Sequence, residues 1–275
     1  MAINPKTFEY FRTLVQMRSA IVLEPGKEYL VESRLAPVAR AEGLASVDEL
    51  AEHLAKSTVS PLHSRAVESM TTNETTFFRD IHPFEALRTN ILPRLITARA
   101  ATRRLNIWSA ACSTGQEPVT VAMTIKEHFP TLANWTISFL GTDLSSAVLA
   151  RAKVGKFSQL EVNRGLPAPL LLKYFTKVGM DWIVRDDIRT MIEYREMNLA
   201  APWPSLPQMD ILFMRNVLIY FDTTTKKEIL RRVRATVRPD GYFLLGSAET
   251  TMSLDDKFKR ADIGRAAVYQ LATEL

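Results

Sequence analysis

105-LNIWSAACSTGQEP-118 passes from an apolar run through a loop of small residues into the start of a helix. Leu105, Ile107 and Trp108 read as a buried strand. Residues 110–115 turn without a bulky side chain, and Glu117 and Pro118 open an apolar helical run that reaches His128 and Phe129. A strand, a tight turn and a helix in this order begin a nucleotide-binding α/β sheet, where small side chains let a ligand approach the backbone. Gly115 is the only glycine of the loop, so the GxGxxG dinucleotide fingerprint is absent.

Downstream, strands and helices alternate. Residues 135–140 form a strand ending in Gly141, Thr142 and Asp143, followed by a helix over 145–153. Residues 210–213 form a strand ending in Met214, Arg215 and Asn216. A helix over 226–237 is closed by Pro239, Asp240 and Gly241 before a strand at 242–245. The pattern predicts a doubly wound, mostly parallel α/β sheet with helices on both faces. Ligands of such sheets bind beyond the carboxyl ends of the strands, where Ser113 to Gly115, Asp143, Arg215 and Asn216 fall. Between 170 and 198 the rhythm breaks. Residues 174–178, 182–184 and 191–197 read as short antiparallel strands around a turn at Gly179, a small β-subdomain inserted at about 172–197.

Upstream, residues 1–70 contain no strand signal. Phe8, Phe11, Leu14 and Val15 recur at helical spacing, as do Leu30, Leu35 and Val38, and then Leu50, Ala51 and Leu54. Ser46 with Glu49 is a capping box, whereas Pro37 predicts a kink. The expected organisation is an all-α N-terminal domain over 1–70, a linker over 71–84 and the sheet domain over 85–275.

The 275 residues carry 47% hydrophobic and 24% charged side chains, as soluble globular proteins do. No apolar run spans a bilayer, and MAINPKTFEY lacks the layout of a signal peptide, so the expected location is cytoplasmic, without membrane insertion. One cysteine, Cys112, excludes a disulfide framework and a cysteine-rich metal site. The four histidines lack metal-ligand spacing, so no metal is expected. The net charge is +5, and the basic runs at 94–104 and 226–238 fit either solvated helix faces or an anionic partner surface. No GxSxG elbow, HExxH pair, phosphate loop or nucleic-acid motif occurs.

Asp143 can accept hydrogen bonds from both hydroxyls of a ribose, or cap the helix that follows. Glu117 can bind a cofactor's ammonium or hydroxyl, or favour a helix N-terminus. Cys112 has no evident base and reads as a small buried residue. In 73-NETTFFRD-80, two phenylalanines anchor a segment that presents Thr75 and Arg79, either as a structural linker or as part of a site.

Five motifs in order complete a resemblance: N-x-T-x-F-F-R from Asn73, W-S-A-A-x-S-T-G-x-E-P from Trp108, G-T-D from Gly141, R-N-V-L-I-Y-F from Arg215 and P-D-G from Pro239. Together they resemble the CheR family of bacterial chemotaxis methyltransferases over nearly the whole chain. The resemblance implies an S-adenosylmethionine-dependent methyltransferase fold and methylation of chemoreceptor glutamates, leaving S-adenosylhomocysteine. It also implies a monomer working at receptor arrays on chemoreceptor cytoplasmic domains, with no nucleic acid. A methyltransferase of another protein or of a small carboxylate is the alternative.

Residue by residue, the resemblance places Asn73, Thr75 and Arg79 against the cofactor, with Ala111, Ser113 and Gly115 in the small-residue motif. Glu117 matches the acidic residue of the first loop and Asp143 the one that holds the ribose. Asn198, Leu199, Arg215 and Asn216 match segments flanking the adenine, and Arg79 and Tyr220 the pair near the methyl-transfer centre. Many relatives dock through a strongly basic N-terminal helix; here only Arg34 and Arg40 stand in a stretch of mixed charge. The turn at 177–181 is shorter than in relatives that hold a receptor's C-terminal pentapeptide, so tight binding of such a tether is not expected.

Overall fold

The computed structural model describes residues 3–56 and 60–272. The chain divides into two compact units. One comprises the chain up to Thr72 with Asn198–Pro202 and Tyr220–Thr225; the other comprises Asn73–Met197, Trp203–Ile219 and the chain from Lys226.

Among its described residues the first unit contains the helices α1 (Pro5–Ser19), α2 (Glu28–Ala41), α3 (Val47–Ala55) and α4 (Pro61–Ser69). Local chemistry sets their ends. Asn4 caps α1 by accepting from the Lys6 amide, and Ala20 stops it in a left-handed conformation at φ 57°. Ser46 accepts from the Glu49 amide to cap α3, while the Glu49 side chain accepts from the Ala45 amide. Phe11, Val15, Leu35, Leu50 and Leu54, at the predicted helical spacing, meet in one core, which Val31 enters in place of the expected Leu30. Pro37 stands inside α2, which continues through it to Ala41.

The second unit opens with α5 (His82–Ala86), a π-helical turn at Leu87–Ile91 and α6 (Leu92–Ala98). There follow β1 (Arg104–Ala110), α7 (Gln116–His128), β2 (Thr136–Asp143), α8 (Ser146–Val154), β3 (Lys156–Ser158), α9 (Gln159–Asn163), α10 (Ala168–Tyr174), β4 (Phe175–Val178) and β5 (Asp181–Val184). The chain then makes α11 (Asp186–Arg189), β6 (Ile192–Glu196), β7 (Met209–Met214), a 3-10 turn at Leu218–Tyr220, α12 (Thr223–Thr236, begun in the first unit's segment), β8 (Val237–Leu245), β9 (Phe258–Arg260) and β10 (Ala267–Leu271).

The main sheet has the order β6-β2-β1-β7-β8-β10-β9. Its first five strands are mutually parallel, and β10 and β9 close one edge in antiparallel pairing. β1 is central, with Ile107 opposite both Phe139 and Ile211. Strands covered on both faces need continuous apolar runs, and all six residues of β7 are accordingly buried. From β1 the chain first builds toward β2 and β6, then crosses to β7 and β8. The order thus reverses between β1 and β7, and sheets of this kind bind ligands outside the carboxyl ends of the strands at that reversal.

The inserted β-subdomain differs from expectation in one strand. β4 and β5 form the predicted hairpin, but its third strand is β3, not residues 191–197. Residues 192–196 instead form β6, parallel to β2 in the main sheet, with Gly141 opposite Tyr194. Burial alternates along β6, as it does in an antiparallel strand with one wet face, because β6 lies at the sheet edge.

At the opposite end of the sheet a single residue of β7, Asp210, faces the bulged stretch 238–241 of β8. Buried Asp210 accepts from Arg99 Nε at 2.7 Å and from the Asn106 amide at 2.8 Å. Arg99 also makes a two-pronged pair with Asp240, at 2.8 and 2.6 Å.

Candidate functional site

Loops following β1, β2 and β7 converge at the carboxyl end of the sheet. The β1 loop contains three left-handed residues, Ala111 (φ 55°), Ser113 (φ 52°) and Gly115 (φ 95°). Such conformations persist in side-chain-bearing residues only where surrounding bonds enforce them. The Cys112 amide donates to the Thr142 carbonyl at 2.9 Å, and the Ser113 amide to Asp143 Oδ2 at 2.8 Å. Ser113 Oγ donates to the Asn73 carbonyl at 2.7 Å. Gly115 has no room for a side chain, since a Cβ would stand 3.0 Å from the Tyr194 hydroxyl and 3.1 Å from Ala152 Cβ.

Asp143 ends β2 and is buried. Besides the Ser113 amide it accepts from the Ser145 amide at 3.0 Å, and its carbonyl accepts from Met197 at 2.9 Å. The cap of α8 is Ser145, so Asp143 is a junction between loops and not the helix cap.

Glu117, in the first turn of α7, accepts from Ser109 Oγ at 2.7 Å and from Arg215 Nη1 at 2.9 Å. Arg215 is buried and also donates from Nη2 to Asp80 Oδ2 at 2.8 Å and to the Arg79 carbonyl at 2.7 Å. Its guanidinium lies 5.5 Å from the centre of the Phe84 ring. One buried cation therefore joins the loop after β7, the first turn of α7 and the segment around Arg79.

That segment is fixed by its phenylalanines. Phe77 lies edge-on to Phe157 and Phe175, with ring centres 5.0 and 5.7 Å away, and Phe78 packs on Phe84. Phe78, Asp80 and Ile81 have φ values of 50°, 65° and 34°. Arg79 is half-buried and donates to the Glu74 carbonyl at 2.9 Å, closing the loop that holds Thr75. Of nine side-chain-bearing residues with positive φ among those described, six lie in these loops: Phe78, Asp80, Ile81, Ala111, Ser113 and Asn216.

The remaining predicted residues group with the helical unit. Asn198 donates from Nδ2 to the Arg18 carbonyl at 2.7 Å, and Leu199 beside it is buried. The Tyr220 carbonyl accepts from the Val22 amide at 2.9 Å, next to a bridge between Ile21 and Phe221. Arg34 donates to the Met70 carbonyl at 2.6 Å and to Thr72 at 2.9 Å, whereas Arg40 is exposed in the last turn of α2.

Burial pushes the Cys112 thiol well above its ordinary range, and the charges of Asp143 and Glu117 push it further. A thiol so held is a poor nucleophile. Burial likewise raises the Tyr194 phenol, helped by Cys112, and its hydroxyl has no hydrogen-bond partner among the described residues.

Sequence reasoning passed over Asp80, Ser109, Tyr194 and Glu249. Glu249 accepts from the amides of Asn216, Val217, Leu218 and Gly246. The one available signal was an acid three residues after Gly246, the glycine that follows the buried end of β8.

Comparison with known proteins adds a family context. Residues 6–71 match the family described as "CheR methyltransferase, all-alpha domain", and residues 73–267 match "CheR methyltransferase, SAM binding domain". The chain is 39% identical to "Chemotaxis protein methyltransferase 1" of Pseudomonas aeruginosa, over 96% of this chain and 97% of that protein. It is 38% identical to "Chemotaxis protein methyltransferase Cher2" of Pseudomonas putida, over 98% and 99% of the two chains. It is 34% identical to "Chemotaxis protein methyltransferase" of Vibrio parahaemolyticus, over 98% of each.

Proposed function

The chain belongs to the CheR methyltransferase family, and from that premise we propose that it converts glutamate side chains of chemoreceptor cytoplasmic domains into methyl esters, with S-adenosylmethionine as donor. The observation that carries the reading is the Asp143 junction beside the small-residue loop, at the carboxyl end of the sheet.

These residues fit the cofactor. Asp143 is a carboxylate at the end of β2, where a ribose lies in such sheets, and it is fixed there by the Ser113 and Ser145 amides. Ala111, Ser113 and Gly115 offer backbone without bulky side chains. Glu117 keeps acceptor capacity for an ammonium group beyond its bonds to Ser109 and Arg215. Asn73, Thr75, Asn198, Leu199, Arg215 and Asn216 complete the proposed cofactor set. When bound, S-adenosylmethionine supplies an activated methyl group on a positively charged sulfur.

The chemistry required of the protein is light. A glutamate with a reference pKa of about 4.3 is already ionised near neutrality, so no residue has to remove a proton. Tyr220 donates a hydrogen bond that orients the incoming carboxylate. Arg79 supplies a cation for the cofactor's carboxylate or the substrate's. Alignment of the reacting atoms is the main contribution, and exclusion of water favours a step in which opposite charges cancel.

In this reading the protein acts as a cytoplasmic monomer at receptor arrays. Arg40 is more available than Arg34 for docking an acidic receptor surface. The hairpin between β4 and β5 turns on Gly179 and Met180 alone, which leaves little loop to hold a receptor's C-terminal pentapeptide, so methylation is independent of a tether. Submicromolar binding of such a peptide in a titration would overturn that point. The reaction is tested by transfer of labelled methyl to purified receptor cytoplasmic fragments. Base-labile label on glutamate is expected, and label only on a small carboxylate would overturn the assignment.

A further inference from the structure

The loop after β7 is held by a residue outside the proposed cofactor set. After β8 the chain turns back on itself, and the Glu249 amide donates to the Gly246 carbonyl at 3.0 Å. Glu249 Oε1 accepts from the amides of Val217 at 2.9 Å and Leu218 at 2.7 Å. Its Oε2 accepts from those of Asn216 at 2.7 Å and Gly246 at 2.8 Å. Glu249 is only 7% exposed. A buried charge of this kind requires compensation, and here four backbone dipoles provide it.

The convergence follows from Asn216, whose φ of 58° helps turn consecutive N–H groups toward one point. Such a concavity binds anions. In this chain it lies at the carboxyl end of β7, on the ligand side of the sheet, and an internal carboxylate fills it. The opposite wall is equally close. A Cβ on Gly246 would stand 2.7 Å from Asn216 Nδ2 and 2.8 Å from Glu249 Oε2. Asn216 Oδ1 is buried there without a hydrogen-bond partner among the described residues.

We infer that Glu249 is a positioning residue for the cofactor pocket: as an anion seated in the amide concavity, it holds the β7 loop in the left-handed form that presents Asn216. The inference rests on the methyltransferase reading of the same pocket. A neutral isostere does not replace the carboxylate, because glutamine has one acceptor oxygen and would turn an NH2 group toward two of the four amides. Removal of the side chain leaves four unmatched donors facing one cavity. A small free carboxylate such as formate can re-enter that cavity.

Calorimetric titration with S-adenosylhomocysteine tests this on the full chain, comparing wild type, Glu249→Ala, Glu249→Gln and Gly246→Ala with and without formate. Both Glu249 variants are expected to lose affinity by roughly tenfold or more. Formate should restore Glu249→Ala along a saturable curve while leaving wild type and Glu249→Gln unchanged. Gly246→Ala crowds Asn216 and Glu249 Oε2 while the carboxylate still occupies the concavity, so it should lose affinity with no response to formate. Affinity of Glu249→Ala within about twofold of wild type, or a loss that formate does not repair, overturns the inference. If Glu249→Ala does not fold, Glu249→Gln decides, and wild-type affinity there overturns it equally. Wild-type protein that fails to bind S-adenosylhomocysteine would instead overturn the methyltransferase reading beneath it.

Discussion

Gly115→Ala should destabilise the sheet unit by an amount that depends on Tyr194. Two costs act at once. Alanine at the φ of 95° found there incurs a left-handed penalty of about 1–2 kcal/mol. Its Cβ would also stand 3.0 Å from the Tyr194 hydroxyl and 3.1 Å from Ala152 Cβ, and overfilling a packed core costs about 1–3 kcal/mol. The expected total is about 3 kcal/mol, which lowers the melting temperature by roughly 9 °C in a unit of this size. Tyr194→Phe removes the hydroxyl at the nearer contact. That hydroxyl is buried without a partner, so its loss alone should be neutral or stabilising. In the double variant the hydroxyl clash disappears while the backbone penalty and the Ala152 contact remain. A favourable coupling of about 1 kcal/mol should therefore appear in the double-mutant cycle. The assay is urea unfolding followed by tryptophan fluorescence, since Trp108, Trp135, Trp182 and Trp203 all lie in the sheet unit. A cost for Gly115→Ala that is the same in both backgrounds would refute the packing part of the reasoning. A cost below about 0.5 kcal/mol would refute both parts.

Arg215→Ala should cost about 3–5 kcal/mol in the same unfolding assay, because it strands Glu117 and Asp80 beside an emptied cation site; a cost under about 1 kcal/mol would show that the cation is dispensable. Tyr220→Phe should lower turnover roughly tenfold while leaving S-adenosylhomocysteine affinity unchanged, as loss of one substrate hydrogen bond does; equal turnover would remove Tyr220 from the mechanism. The paired hydrogen bonds from Arg99 hold the Asp240 carboxyl below its ordinary value. Its folded pKa being depressed, this group's contribution to stability is complete above the unfolded value of about 3.9 and lost as pH falls through the lower folded value. Asp240→Asn should accordingly flatten the acid limb of urea midpoint against pH, and parallel limbs would contradict the assignment.

Legibility in the sequence followed the range of the interactions. α1 and α3 were readable because Phe8, Phe11 and Val15, or Leu50 and Leu54, repeat at the period of the structure they form, whereas α4 was not singled out. β1, β2 and β7 were readable because each carries a short apolar stretch buried in the sheet, Ile107–Trp108, Phe139–Leu140 and Ile211–Met214, ahead of a turn. β3 was missed because three residues carry no period. β6 was misassigned because an edge strand of a parallel sheet alternates like an antiparallel one. Arg215 was visible as a motif residue, but its bonds to Glu117 and Asp80 span 98 and 135 positions. No local pattern encodes a pair so distant.

From the sequence alone came the class of the sheet, the place of the loops after β1, β2 and β7 and, by resemblance, the set of residues to inspect. These depend on hydrophobic period and turn chemistry, which act within a few residues. Only the tertiary structure decided which side chains are already engaged. It assigned the cap of α8 to Ser145 and the junction to Asp143, tied Glu117 to Arg215, and seated Glu249 among four amides. The small-residue loop at 110–115 shows the division plainly. Its composition allows left-handed residues, but their conformations persist through bonds to Thr142, Asp143 and Asn73, which only the folded chain brings within reach.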